Sequence, residues 1–272
     1  KSNREYIEWI RDKTEREYYL YMPDGGLPEN SPLLFVLHGY YGSGNYWLDV
    51  FKELADEYKF MVCAPNGLPD NYKINHWNAN FNNIMTSVDD LGFLSNLALS
   101  LQNEYGLNPN KTFACGMSNG GYMSWSLAKH APDLFSAIAS VTGTMSGPDW
   151  NDEFNTSPLI PVMQISGTND NIVPMDGSMQ DDGEGWAGAP DINDIMNFWS
   201  EQHNCENSMT ETIEFDYTTD ITYYNTCENN AELRLYIANQ MGHTWPEFAA
   251  SEIWDFFMQV EEPSWNCINN SC

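Results

Sequence analysis

Six short, almost wholly apolar runs punctuate this chain, and most of them stop at a glycine or a proline. They are "LLFVLHG" from Leu33, "KFMVCAPN" from Lys59, "KTFACG" from Lys111, "FSAIASVTG" from Phe135, "LIPVMQISG" from Leu159 and "ELRLYIA" from Glu232. A strand that is apolar on both faces must be covered on both faces, which is the condition of a parallel sheet buried between helix layers. The stretches between the runs carry helical spacing. Val88, Leu91, Leu94, Leu97, Ala98 and Leu101 line one face of Thr86 to Tyr105, with Ser87 and Asp90 as an N-terminal cap pattern. "YWLDVFKELADEY", Asn119 to His130, Asp191 to His203 and Pro246 to Val260 read as further helices, and "EYYLYMP" as an early strand. Alternating buried strands and helices predict an α/β class chain with a mainly parallel central sheet and helices on both faces. On such sheets reactive groups collect where strands end, so the strand ends are the places to look for chemistry.

The 272 residues suit a single domain of this class, and 42% hydrophobic with 14% aromatic residues suffice for a sizeable core. Residues 1–262 are read as one catalytic domain and 263–272 as a polar tail. The chain begins at Lys1 rather than Met, and a processed or trimmed N-terminus is the expectation. Eleven Lys and Arg against 39 Asp and Glu give a net charge of −28, which repels phosphate backbones and argues against a nucleic-acid partner. No apolar run approaches the roughly 18–20 residues of a membrane span. A monomer without a membrane or nucleic-acid partner is the expectation.

"FACGMSNGGYMSWSLA", Phe113 to Ala128, holds a G-x-S-x-G between a strand and a helix. A serine presented above a sheet needs a very sharp strand-to-helix turn, with nearly side-chain-free neighbours two residues away on each side. Gly116 and Gly120 supply them, and Gly121 adds clearance. Ser118 is therefore the candidate nucleophile, and the N–H of Asn119, at the start of the helix, a candidate oxyanion donor. A serine needs a base. Of the five histidines, His130 and His203 sit near helix C-termini, and His38 reads as architectural beside the loop after "LLFVL". His76 lies in the aromatic loop "INHWNANF", which could line a pocket. His243, in the Gly-flanked loop "GHTWP" after a late strand, is the candidate base. The acid that orients it is expected between Ser and His in sequence. Asp170, in "SGTNDNIVP" at a strand end, is the first choice, and Asp176, beyond Pro174, the second. The N–H of Tyr40 is the candidate second oxyanion donor, its side chain a candidate wall of the acyl pocket. The order Ser118, Asp170, His243 is that of the α/β-hydrolase fold.

None of the six cysteines forms a C-x-x-C pair, so a zinc or redox motif is not indicated. Cys63 and Cys115 lie in apolar strands and read as buried thiols. Cys205 and Cys227 flank a polar, strand-forming insertion and could close it, which is worth about 3 kcal/mol in the chain-entropy model. Cys267 and Cys272 bracket "INNS" in the tail and could staple it. Four pairable cysteines point to an oxidising compartment, hence a secreted or periplasmic chain. Asp181, Asp182 and Glu184 in "MDGSMQDDGEG" match no EF-hand spacing and read as a solvated loop rather than a calcium site. No metal or other cofactor is required.

Taken together, "LLFVLHG", "VDDLGFL", "CGMSNGGYMSWSLA", "SGTNDNIVP", "GWAGAPDINDIMNFW" and "GHTWP" resemble the polyhydroxybutyrate depolymerase-like esterases, which overlap with the feruloyl and acetylxylan esterases of carbohydrate esterase family 1. The resemblance runs from about Arg16 to Phe257. It implies a secreted serine esterase whose triad is Ser118, Asp170 and His243, and it supports a Cys205–Cys227 disulfide. The implied substrate is a hydroxyalkanoate ester, its oligomer or another polyester. The alternative is a feruloyl or acetyl ester of a plant or algal polysaccharide, and the remoter ones are a serine peptidase or a non-catalytic binding protein. Where depolymerases often carry Cys and Gln after the His-Gly, this chain has "YYGSG", a departure that weighs against attack on solid polymer. Tyr41, Trp77, Trp186 and Trp245 are the candidates for packing against substrate.

Overall fold

The computed structural model describes residues 4–11, 14–81, 87–152, 159–180 and 186–260. The six apolar runs form the strands β3 (Leu33–Leu37), β4 (Met61–Pro65), β5 (Thr112–Met117), β6 (Ala137–Val141), β7 (Val162–Gly167) and β10 (Leu233–Ala238). All six pair in parallel, in the order β4-β3-β5-β6-β7-β10. Antiparallel hairpins extend the sheet at both ends. β1 (Arg4–Arg11) and β2 (Thr14–Tyr21) add beside β4, and β8 (Asn207–Glu214) and β9 (Thr218–Asn225) add beside β10, making ten strands.

Successive side chains of a strand leave on opposite faces, and both faces are used here. Leu33, Phe35 and Leu37 join Ala114, Ile138, Val162 and Leu235 in one core, covered by α2 (Asp90–Tyr105), α3 (Asn119–His130) and α5 (Ile192–Gln202). Leu34 and Val36 join Phe113, Ala139, Ile165 and Tyr236 in the other, covered by α1 (Gly44–Tyr58) and α6 (Ala249–Gln259). Trp254 of α6 stacks on Phe60 at 3.6 Å between ring centroids. A sixth, short helix, α4 (Gly147–Asn151), follows β6.

Three expectations change in detail. The helix read from Thr86 begins at Asp90, and Asp89, not Ser87, caps it by accepting from the Gly92 N–H at 2.7 Å. Asp90 is not free for a capping role because it is drawn into the interior, where it pairs with Arg16. The last helix begins at Ala249 rather than Pro246. The early strand belongs to a hairpin with β1, whose partner role the sequence reading did not anticipate.

The polar insertion between Cys205 and Cys227 is the β8–β9 hairpin, and a disulfide between the two cysteines closes it at its base. Cys63 and Cys115 are buried free thiols. The tail from residue 263, with Cys267 and Cys272, and the acidic run Asp181, Asp182 and Glu184 lie outside the described residues. Among the described residues no helix is long and apolar enough to cross a membrane, and no group of three His, Cys, Asp or Glu is arranged to hold a metal ion.

Candidate active site

β3, β5, β7 and β10 deliver their C-terminal ends to one edge of the sheet. After β5 the chain turns within one residue into α3. Ser118 sits at φ 54°, ψ −118°, a backbone region that costs a non-glycine residue about 1–3 kcal/mol and persists only where its surroundings hold it. Its own N–H donates to Val141 O at 2.8 Å on β6, and α3 starts at the next residue. The flanking glycines are there for closeness rather than flexibility. A Cβ on Gly120 would lie 2.1 Å from Leu37 O, and one on Gly116 2.5 Å from the backbone of Gly120.

The loop after β3 turns back over this elbow. Gly42 N–H donates to Gly39 O at 2.9 Å, closing a turn over residues 39–42. A Cβ on Gly39 would lie 3.5 Å from Ser118 Cβ, so the turn passes directly beside the serine. Among the described residues no protein acceptor takes the Tyr40 N–H or the Asn119 N–H. Asn119 follows Ser118 directly and Tyr40 follows Gly39, the residue beside the serine, so both N–H groups lie on the backbone stretches that flank Ser118.

The loops after β7 and β10 bring a carboxylate and an imidazole together. Asp170 is buried, and its Oδ1 accepts from the Ile172 and Val173 N–H groups, each at 2.9 Å. Its Oδ2 stands 2.8 Å from His243 Nδ1. With both oxygens engaged the carboxylate cannot rotate, and the Nδ1 contact leaves Nε2 as the nitrogen free for chemistry. Asp176, the second choice for the acid, is exposed and accepts from the Ser178 N–H at 3.0 Å in its own turn.

His38 is architectural, as read. It is fully buried, with Nδ1 2.7 Å from Gly39 O and Nε2 accepting from the Gly67 N–H at 2.9 Å. Burial pushes its pKa down to about 4, so it remains a neutral strut. His130 pairs with buried Asp149 at 2.7 Å, and His203 is buried. His76 does not line a pocket. It is buried with its Nδ1 2.9 Å from Leu68 O, inside its own loop.

The four substrate-packing candidates separate. Trp186 is half-buried and touches the ring of Tyr40 at 5.7 Å, Phe81 at 5.0 Å and Tyr122 at 5.8 Å. Tyr40 comes from the loop beside Ser118 and Tyr122 from one turn further along α3, so Trp186 joins the two segments that flank the serine, and the rim they form is termed the mouth. Tyr122 donates to Met179 Sδ at 3.4 Å, and burial together with the Asp170 charge raises its pKa and keeps it a phenol. Tyr41 is 74% exposed at the rim, edge-on to Tyr40. Trp245 packs instead on α1, against Trp47 at 4.8 Å and Phe51 at 6.2 Å, and so anchors the His243 loop. Trp77 corrects the expectation outright. It is wholly buried, with its indole N–H on His38 O at 3.0 Å, and has no surface to offer a substrate.

Sequence reasoning passed over Phe81, Tyr122 and Asp70. Tyr122 was findable, because a residue four places after the serine shares its helix face. Asp70 holds the Tyr40 phenol at 2.6 Å across 30 residues, a pairing that no local signal announces.

The phospholipase/carboxylesterase family profile matches residues 25–182. A putative esterase, NocK, of Nocardia uniformis subsp. tsuyamanensis is 30% identical over 169 residues, 60% of this chain and 47% of the relative. Feruloyl esterase B of Thermothelomyces thermophilus is 29% identical over 151 residues, 54% of this chain and 50% of the relative. The matched segments thus span about half the length of these relatives. Among solved structures, an acetyl xylan esterase from Aspergillus awamori superposes with a TM-score of 0.70 at 17% identity, covering 94% of this chain and 99% of that one. At that identity the likeness speaks for the fold, which is the α/β-hydrolase fold.

Proposed function

The chain belongs to the phospholipase/carboxylesterase family, and we propose that it hydrolyses carboxylic esters through Ser118, His243 and Asp170. The observation that carries this reading is the meeting at one sheet edge of a strained serine elbow and a His243–Asp170 pair at 2.8 Å, with two N–H groups that no described residue occupies. Ser118 Oγ attacks the ester carbonyl carbon while His243 Nε2 takes its proton, and Asp170 holds the imidazolium. The carbonyl oxygen, now negative, is received by the N–H groups of Tyr40 and Asn119. Collapse breaks the bond to the alcohol, which leaves with the proton from His243. Water then attacks the acyl carbon while giving a proton to the same base, and the bond to Ser118 Oγ breaks as that proton passes from His243 to the serine, releasing the acid.

The acyl group rests against Tyr40 and Trp186, with Phe81 and Tyr122 behind. This aromatic wall favours a flat, aryl-bearing acyl group such as feruloyl, because offset and edge-on ring contacts add about 0.5–1.5 kcal/mol to the area they bury. The hydroxyalkanoate ester implied by the motifs is the reading it competes with. The Cys205–Cys227 disulfide supports an oxidising compartment, and so a secreted or periplasmic enzyme.

Two variants and four substrates test the proposal. Ser118→Ala is expected to lose on the order of 10⁶-fold in kcat on p-nitrophenyl acetate, and Asp170→Asn about 10⁴-fold. A Ser118→Ala protein with near wild-type turnover refutes the mechanism. Rates on methyl ferulate, hydroxybutyrate trimer and acetylated xylan, compared in parallel, decide the acyl class, and a trimer rate well above the ferulate rate overturns the aromatic assignment.

A further inference from the structure

The segment 66–78 contacts both backbone stretches that carry the proposed oxyanion donors. It is closed on itself by a bridge between Pro69 and Asn75 and by the His76 N–H on Leu68 O at 3.1 Å. From this closed loop, contacts run to both backbone stretches that border Ser118. Towards the turn after β3, the Gly67 N–H reaches His38 Nε2 at 2.9 Å and the Trp77 indole N–H reaches His38 O at 3.0 Å. In the same direction, Asp70 takes the Tyr40 phenol at 2.6 Å, and Asn75 O takes the Tyr41 N–H at 3.2 Å. Towards the elbow, the Asn119 side chain grips the backbone of Trp77 at two points. Its Oδ1 accepts from the Trp77 N–H at 2.6 Å and its Nδ2 donates to Trp77 O at 2.9 Å.

The next residue ties the loop down. The Asn78 N–H donates to Asp90 Oδ2 at 2.7 Å, and the Asn78 side chain donates to Val88 O at 2.9 Å. Asp90 is buried and paired with buried Arg16, which also lies over the Phe93 ring. Breaking such a pair leaves an uncompensated buried charge, so the anchor is firm.

We infer that Trp77 is a positioning residue: it is the spacer that fixes the distance between the Tyr40 and Asn119 N–H groups, and so tunes the oxyanion site. The inference rests on the proposed esterase mechanism and deepens it. A geometric spacer of this kind acts on the tetrahedral oxyanion, where two donors must converge on one atom, and not on the planar ground-state ester. Its loss therefore lowers kcat and leaves KM in place. Direct removal of an oxyanion donor costs about 10²–10³-fold. Loosening two donors that remain present costs less, about 10-fold.

The test uses the whole chain with Trp77→Phe, which keeps a buried ring and removes the bond to His38 O, and Asn119→Ser, which keeps the backbone N–H and removes the two-point grip. The substrate is p-nitrophenyl acetate, and the oxyanion probe is a trifluoromethyl ketone, whose hemiketal adduct with the serine carries the negative oxygen. The expected result is a kcat about 10-fold lower with KM within about twofold, and ketone affinity weakened by the same factor as kcat. A folded variant that keeps wild-type kcat, or one that changes KM alone, overturns the inference even if its melting temperature has fallen. Should Trp77→Phe not fold, Asn119→Ser decides alone. Ser118→Ala run beside them keeps the two questions apart: if it is active the esterase mechanism fails, and if it is inactive while the other two are unchanged only the spacer fails.

Discussion

Replacing Gly120 by alanine puts one methyl group into a space that has no room for it. The added Cβ would lie 2.1 Å from Leu37 O, 2.6 Å from Leu37 C and 2.7 Å from His38 O. Non-bonded heavy atoms settle at about 3.5 Å or more, and the offending atoms are backbone on both sides. No rotamer can relieve the clash, so the elbow and the end of β3 must part by about 1 Å. Overpacking of this kind costs about 1–3 kcal/mol, or roughly 2–12 °C in melting temperature for a domain of this size. The larger consequence is catalytic, because the strand that is pushed leads within three residues to the Tyr40 N–H. A 1 Å misplacement costs about 10²-fold in rate. Gly120→Ala is therefore expected to lose about 100-fold in kcat on p-nitrophenyl acetate while unfolding cooperatively in urea. Gly106→Ala serves as the control. Gly106 is at φ 64° with nothing within 4 Å of a Cβ, so it pays a backbone cost of about 1–2 kcal/mol and leaves kcat unchanged. A Gly120→Ala protein with kcat within twofold of wild type would refute the claim that these backbones are in contact for a catalytic reason.

Two further outcomes follow from other parts of the molecule. His38 has its pKa lowered from 6.5 to about 4 by burial, so the unfolded chain takes up a proton below pH 6.5 that the folded chain refuses until about pH 4. Stability is thus lost as pH falls through that window, by about 3 kcal/mol in total. His38→Gln cannot titrate, and its urea midpoint should fall less between pH 6.5 and 4 than that of the wild type; parallel slopes would count against the burial argument. Removing the Cys205–Cys227 disulfide with a paired serine substitution should cost about 3 kcal/mol for its separation of 22 residues. Turnover should hold within about twofold, since the bond closes the outer hairpin rather than the mouth, and a loss of kcat equal to that of Gly120→Ala would contradict this.

The parallel core was legible because its strands are apolar on both faces and stop at small residues, so Leu33–Leu37 or Val162–Gly167 need no context to be recognised. The outer strands were harder. β8 is exposed along nearly its whole length, and a half-wet edge strand such as "NSMTETIE" shows no buried face to count. The positions of Ser118, Asp170 and His243 could be proposed from the chain because each follows a strand end and chain order is constrained by the fold. Trp77 was misjudged for a physical reason. A tryptophan in a Gly- and Asn-rich loop looks the same whether its ring faces the mouth or props the floor, and only its bond to His38 O distinguishes the two. Arg16 and Asp90 are 74 residues apart, and burial of their ion pair depends on the whole sheet having formed.

The glycines at the elbow divide the mouth into two tiers with different prospects for change. On the inner tier backbone lies against backbone, at Gly116, Gly120, Gly121 and Gly143, where an added methyl would meet main-chain atoms at 2.1–3.0 Å. On the outer tier Tyr40, Phe81 and Tyr122 meet Trp186, and Tyr122 meets Met179, through side chains. On the proposed mechanism, mutation can redraw the outer tier residue by residue and alter which acyl group is welcome, while a substitution in the inner tier slows the chemistry itself. A lineage or a designer seeking a new ester would find its variation confined to the rim, with the reaction itself inherited intact.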